Sequence, residues 1–146
     1  VRKLISNNPN IIFDIYGYKK KQPIWSNDFY DALYKSKMAL NLSRINNVKY
    51  YSSNRIASLI GNGILTFVDV NTKLNHFFNN DEVIFYKNLN DLSSKIKYYK
   101  KNHSLRNKIA KNGKKRYFDI FNNKIIAQYI CSRLFNNKIK NLSWMK

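Results

Sequence analysis

The 146-residue sequence has one cysteine, two prolines, four glycines and only eight acidic residues, of which Glu82 is the sole glutamate. Cys131 alone excludes an internal disulfide framework and a cysteine-based zinc site. His76 and His103 lie too far apart, without acidic or cysteine companions, to suggest a metal centre. With so few glycines there is no dinucleotide-binding glycine fingerprint, and Gly61-x-Gly63 alone does not make one. A phosphate-loop lysine motif and a nucleophile elbow are absent as well. The longest apolar runs, such as Ile56–Ile60 broken by Ser58, are too short to span a bilayer. The opening Val1-Arg2-Lys3-Leu4 is no cleavable signal peptide. It also lacks an initiating methionine, so a piece of a longer chain is expected.

Against these absences stand 27 Lys and Arg, giving a net charge of +19 and a pI near 10.1. Such a charge raises nucleic acid or an anionic membrane as partners. The rest of the composition offers a plainer cause. Asn, Lys, Ile and Tyr are all abundant and all have A/T-rich codons. The lysines are dispersed, with short clusters at Lys19–Lys21, Lys100-Lys101 and Lys114–Arg116 that fit solvated faces. The charge therefore favours anionic ligands in general without naming one. Hydrophobic residues at 44% and aromatics at 15% supply a packed core, which excludes disorder.

Along the chain, Leu4 and Ile5 before Asn7-Asn8-Pro9-Asn10 read as the end of a helix. Ile11–Tyr16 is β-branched and aromatic, ends at Gly17, and is predicted to be a strand. A helix over Asp28–Lys35, capped by Ser26 or Asn27, leads to a second strand at Met38–Leu42. Ile56, Leu59 and Ile60 repeat at helical spacing between Ser52-Ser53-Asn54 and Gly61-Asn62-Gly63, a start and a stop around a short helix. Ile64–Val68 is the clearest buried strand, and Val83–Tyr86 is another. Helices are predicted at about Leu92–Lys101, Leu105–Tyr117 and Lys124–Phe135. Short strands alternating with helices imply an α/β fold: a doubly wound, mostly parallel, Rossmann-like sheet with helices on both faces. Ligands of such sheets sit beyond the carboxyl ends of the strands. The loops to watch are 17–26, 43–54, 69–81 and the turn after Tyr86.

Within those loops the helix start Ser52-Ser53-Asn54-Arg55 carries the most chemistry. Unpaired backbone N–H groups, the helix dipole and a guanidinium fork suit a phosphate. A plain N-cap with Arg55 on the surface is the simpler alternative. Arg44, after the second strand, is a second cation for the same crevice. Glu82 could accept bonds from a ribose diol, or could be a solvated loop residue.

The order of these pieces resembles the C-terminal, donor-binding half of group 1 glycosyltransferases of the two-domain GT-B fold. The matching segments are Ser52–Asp69 (SSNRIASLIGNGILTFVD), Asp81–Asn102 (DEVIFYKNLNDLSSKIKYYKKN) and Leu105–Asn122 (LRNKIAKNGKKRYFDIFN), followed by a closing helix. Asp28–Arg44 looks like the helix and strand just upstream. The family's frequent pair of glutamates is replaced here by Tyr50 and Ser58, as in a divergent branch of cell-surface polysaccharide assembly. The resemblance implies that residues 1–146 form a single donor-binding domain without its N-terminal acceptor domain. It implies a cytoplasmic glycosyltransferase, at or near the inner face of the membrane, that is inactive as this piece alone. Ser52, Ser53, Asn54, Arg55 and Arg44 are expected around the diphosphate of a nucleotide-sugar, with Glu82 facing the nucleoside. No metal or other cofactor is expected. The implied partners are the donor and, through the missing domain, an acceptor glycan or lipid-linked saccharide. Peripheral contact with an anionic membrane is compatible with the charge, and no specific nucleic acid is implied. Two alternatives remain at this point: a basic nucleic-acid-binding α/β module, and a degenerate donor domain that no longer catalyses.

Overall fold

In a computed structural model, described for residues 1–42, 48–51 and 54–136, the chain is an α/β structure built on a small parallel sheet. In chain order it comprises α1 (Arg2–Ser6), α2 (Ser26–Lys35), β1 (Met38–Asn41), α3 (Asn54–Ile60), β2 (Leu65–Asp69) and β3 (Ile84–Tyr86). Helices α4 (Leu89–Lys101), α5 (His103–Phe121) and α6 (Asn123–Leu134) follow. The strands lie in the order β1-β2-β3 with Met38 opposite Leu65 and Phe67 opposite Ile84, all parallel. These three strands and the helices between and after them lie close to where the hydrophobic pattern puts them.

Ile11–Tyr16 is different. Its burial alternates, with Ile11, Phe13 and Ile15 half-buried and the residues between them exposed, yet it joins no ladder among the described residues. The alternation of a strand is present, and Ile11 and Phe13 pack on the core. A strand also needs a partner strand, and among the described residues this segment pairs with none. Helix α2 departs in a smaller way. Trp25 occupies its N-cap without a side-chain bond, and none of the helix's residues is buried.

The sheet divides the core in two because successive side chains on a strand face opposite ways. On one face Leu65 and Phe67 of β2 and Ile84 and Tyr86 of β3 pack against Leu4 of α1, Leu92 and Ile96 of α4, and Ile109 of α5. On the other face Val68 and Phe85 meet Ile56 and Ile60 of α3, Leu74, Phe78 and Ile120. Each fully buried large side chain contributes roughly 1.5–3 kcal/mol over its exposed state, and Phe67, with no exposed surface, is the central one. Buried polar groups fasten the first face. Asn8 Nδ2 donates to the Leu4 carbonyl at 2.7 Å, and Asn8 Oδ1 accepts from the Ser93 hydroxyl at 3.0 Å, tying the chain start to α4.

Helix α5 serves both faces, with Ile109 and Ala110 in one cluster and Ile120 in the other. It makes this crossing by passing under the amino ends of the strands. There a Cβ on Gly113 would stand 2.2 Å from the Glu82 carbonyl oxygen, so only glycine admits the approach. Its neighbours complete the clamp: Asn112 Nδ2 donates to the Asp81 carbonyl at 3.1 Å and Arg116 Nε to the Phe77 carbonyl at 3.0 Å. No helix among the described residues is long and apolar enough to cross a membrane.

Candidate functional site at the carboxyl ends of the strands

Parallel strands aim all their carboxyl ends at one edge, where the loops that follow them form a crevice. Here that edge holds a cavity of about 250 Å³. Leu40 and Leu42 from β1 and its continuation, Leu4 from α1, and Leu89 and Leu92 from α4 form its apolar wall. Asp69, the last residue of β2, and Tyr86, the last residue of β3, supply polar groups. The two are register partners in the β2–β3 ladder, so their side chains stand on one face of the sheet. Asp69 Oδ1 accepts from the Asn71 N–H at 2.9 Å, capping a short 3₁₀ turn over Val70–Thr72, while its second oxygen accepts no bond among the described residues. Burial, and secondarily the charge of Asp69, raise the Tyr86 phenol above its ordinary pKa, so the hydroxyl is held neutral at physiological pH.

The α4 end of the crevice is fixed by its own network. Asn88 caps α4 by accepting from the Asp91 N–H at 3.0 Å, and Lys95 Nζ donates to Asp91 Oδ2 at 2.9 Å and to the Phe85 carbonyl at 2.7 Å. The hydrogen bond from Lys95, reinforced by the Lys87 N–H, holds the Asp91 carboxyl below the usual carboxylate range.

Of the residues expected at the site, Ser52, Ser53 and Arg44 lie outside the described residues. Asn54 is the first residue of α3 and is exposed. Arg55, also exposed, reaches back so that Nη1 donates to the Leu42 carbonyl at the carboxyl end of β1. Arg55 therefore stands at the strand tips, and Leu42, which it holds, also lines the cavity. Glu82 is not brought to this edge. It precedes β3, so it sits at the amino ends of the strands beside α5. There Oε2 accepts from the Asn79 N–H at 2.8 Å and lies 3.9 Å from Arg116 Nε. Glu82, expected to face the nucleoside of a donor whose diphosphate lies at Arg55, thus stands at the opposite end of the sheet from Arg55.

The two positions where the resembled family often has glutamates also have local partners. Ser58 donates from its hydroxyl to the Asn54 carbonyl of its own helix at 3.2 Å. Tyr50 packs against His76 and Phe77, with ring centroids 5.4 and 5.2 Å away. Asp69 and Tyr86 were not singled out by spacing or motif. The available signal is their position, each ending a buried strand on the ligand-bearing edge. Among the described residues no group of three or more His, Cys, Asp or Glu side chains could hold a metal ion.

A family model described as glycosyl transferase-like matches residues 1–132. The chain belongs to that family. Membership accords with the parallel sheet flanked by helices and is compatible with one half of a GT-B enzyme. Searches of curated proteins and of solved structures give no match.

Proposed function

We propose that this chain is the donor-binding part of a glycosyltransferase and that its strand-tip crevice holds a nucleotide-diphosphate sugar. The observation that carries the reading is Arg55, an exposed guanidinium anchored on the carbonyl of Leu42, a residue that lines the 250 Å³ cavity. That cavity is smaller than the roughly 300–1,000 Å³ usual for a complete ligand, so it receives one part of the donor and leaves the diphosphate outside, beside Arg55. Arg55 uses one of five N–H donors on Leu42 and keeps the others for phosphate oxygens. Asn54 stands next to it, and Ser52, Ser53 and Arg44 join the proposal on sequence grounds alone. As the bond from sugar to diphosphate breaks, negative charge grows on the leaving oxygen. A fixed cation there lowers the barrier, by on the order of 3 kcal/mol for one well-placed donor. The acceptor, a glycan or lipid-linked saccharide, would be presented by a separate domain.

Thermal-shift titration with UDP- and GDP-sugars tests the reading. At least one donor raises the melting temperature of the wild-type chain, and the shift disappears in Arg55→Ala. Absence of any shift, or an undiminished shift in the variant, overturns it. The nucleic-acid alternative has exposed rings at Trp25, Tyr34 and Phe118 on which bases could stack, and oligonucleotide binding with a steep salt dependence would favour it. A degenerate, non-catalytic donor domain is favoured by one observation: Tyr50 and Ser58 are engaged within the protein. It predicts donor binding without transfer even when an acceptor domain is present.

A further inference from the structure

The cavity is walled by five leucines and has Asp69, Tyr86, Lys87 and Asn88 on its polar side, where Asp69 and Tyr86 stand together on one face of the sheet. A planar, uncharged ring fits such a box, since its faces lie against leucines and its edge must satisfy the polar pair. The pair is specific about that edge. Asp69 is acceptor-only when ionised, and one of its oxygens has no bond among the described residues. The Tyr86 hydroxyl likewise makes no hydrogen bond there, although the residue is only 9% exposed. Both oxygens are open to solvent, so a ligand entering the cavity can pair with them without displacing a protein partner.

Resting on the reading of the crevice as a nucleotide-sugar site, we infer that the cavity selects guanine, with Asp69 accepting from two adjacent ring-edge N–H groups and Tyr86 donating to the neighbouring carbonyl. Guanine presents in one row a carbonyl oxygen, a ring N–H and an exocyclic amino group. Uracil presents a single N–H between two carbonyl oxygens, and a carboxylate facing those oxygens is repelled. Adenine and cytosine place an unprotonated ring nitrogen beside their amino group, so each offers one donor where guanine offers two. Position supports the assignment. Leu42 lines the cavity and its carbonyl accepts from Arg55, so a base in the cavity lies one residue away from a cation suited to its diphosphate. The neutral state of Tyr86, kept by burial and by the Asp69 charge, preserves the hydroxyl as a donor.

Titration calorimetry of the 146-residue chain with GDP and with UDP, to millimolar concentration, tests the inference. GDP should bind about tenfold or more tightly than UDP, as expected for one paired donor–acceptor edge. Asp69→Asn keeps an oxygen to cap the Asn71 N–H but replaces the other acceptor with a donor. It should weaken GDP about tenfold or more and shrink the preference. Tyr86→Phe, which retains the ring in the core, should weaken GDP severalfold and serves if Asp69→Asn fails to fold. Equal or tighter binding of UDP by the wild-type chain, or an unchanged preference in a folded variant, overturns guanine selection while leaving a nucleotide-sugar site intact. Failure of both nucleotides to bind overturns that site together with the inference.

Discussion

The two ends of the sheet hold charged groups of opposite character in opposite settings. At the amino ends, Glu82 is only 15% exposed, takes a backbone N–H, faces Arg116 and lies against a helix pressed onto its carbonyl. At the carboxyl ends, Arg55 is exposed and a cavity stays open between Asp69, Tyr86 and the leucines. One end uses its polar groups to close the fold. The other leaves donors and acceptors unspent, and that surplus marks it as the place where a ligand can act. Charge alone does not separate function from architecture here; the number of bonds already made does.

Breaking the closed end should have the largest effect. Gly113→Ala forces a methyl group against the Glu82 carbonyl, a backbone atom that cannot rotate out of the way. Overpacking of this kind costs roughly 1–3 kcal/mol and outweighs the gain of about 1 kcal/mol in helix propensity. A urea denaturation midpoint at or above that of the wild type would show that α5 can shift away. Glu82→Ala should cost about 1 kcal/mol by removing the acceptor for the Asn79 N–H. Glu82→Gln should recover most of that and leave nucleotide binding unchanged. A folded Glu82→Gln variant that loses binding would merge the two ends into one site. At the open end, Arg55→Ala should change the stability of the unliganded protein by less than about 0.5 kcal/mol, as for an exposed side chain without buried partners. Its effect belongs to the ligand.

The smallest effect concerns pH. Asp91 has a folded-state pKa held below its unfolded value, chiefly by Lys95. Its contribution is complete above the unfolded value and is lost as pH falls through the depressed folded one. Asp91→Asn should therefore be slightly less stable than wild type near neutrality, and the two should converge in strong acid. A gap that persists in acid would assign the loss to the capped turn at Asn88 instead.

The elements that shape this comparison are unevenly legible in the sequence. Leu65–Asp69 and Ile84–Tyr86 are short, apolar and β-branched or aromatic, and burial on both faces demands that composition. Ile11–Tyr16 has the same composition without the ladder, because composition encodes an extended backbone and cannot supply the neighbour. Arg55 was legible as a cation at a helix start near a strand tip. Glu82 was legible as an acid beside a strand, and its coming before that strand already places it at the edge away from ligands in a parallel sheet. The cavity was not legible. Its leucines come from positions 4, 40, 42, 89 and 92, which only the folded chain assembles.

The long helix that reaches from one cluster to the other has a consequence for biogenesis. Neither half of the interior can be sealed before residues 103–121 are available, and these leave the ribosome after every strand has already emerged. The nascent sheet must wait with both its faces only partly covered, so folding is completed late, and a chaperone's grip on the emerging strands would count most then.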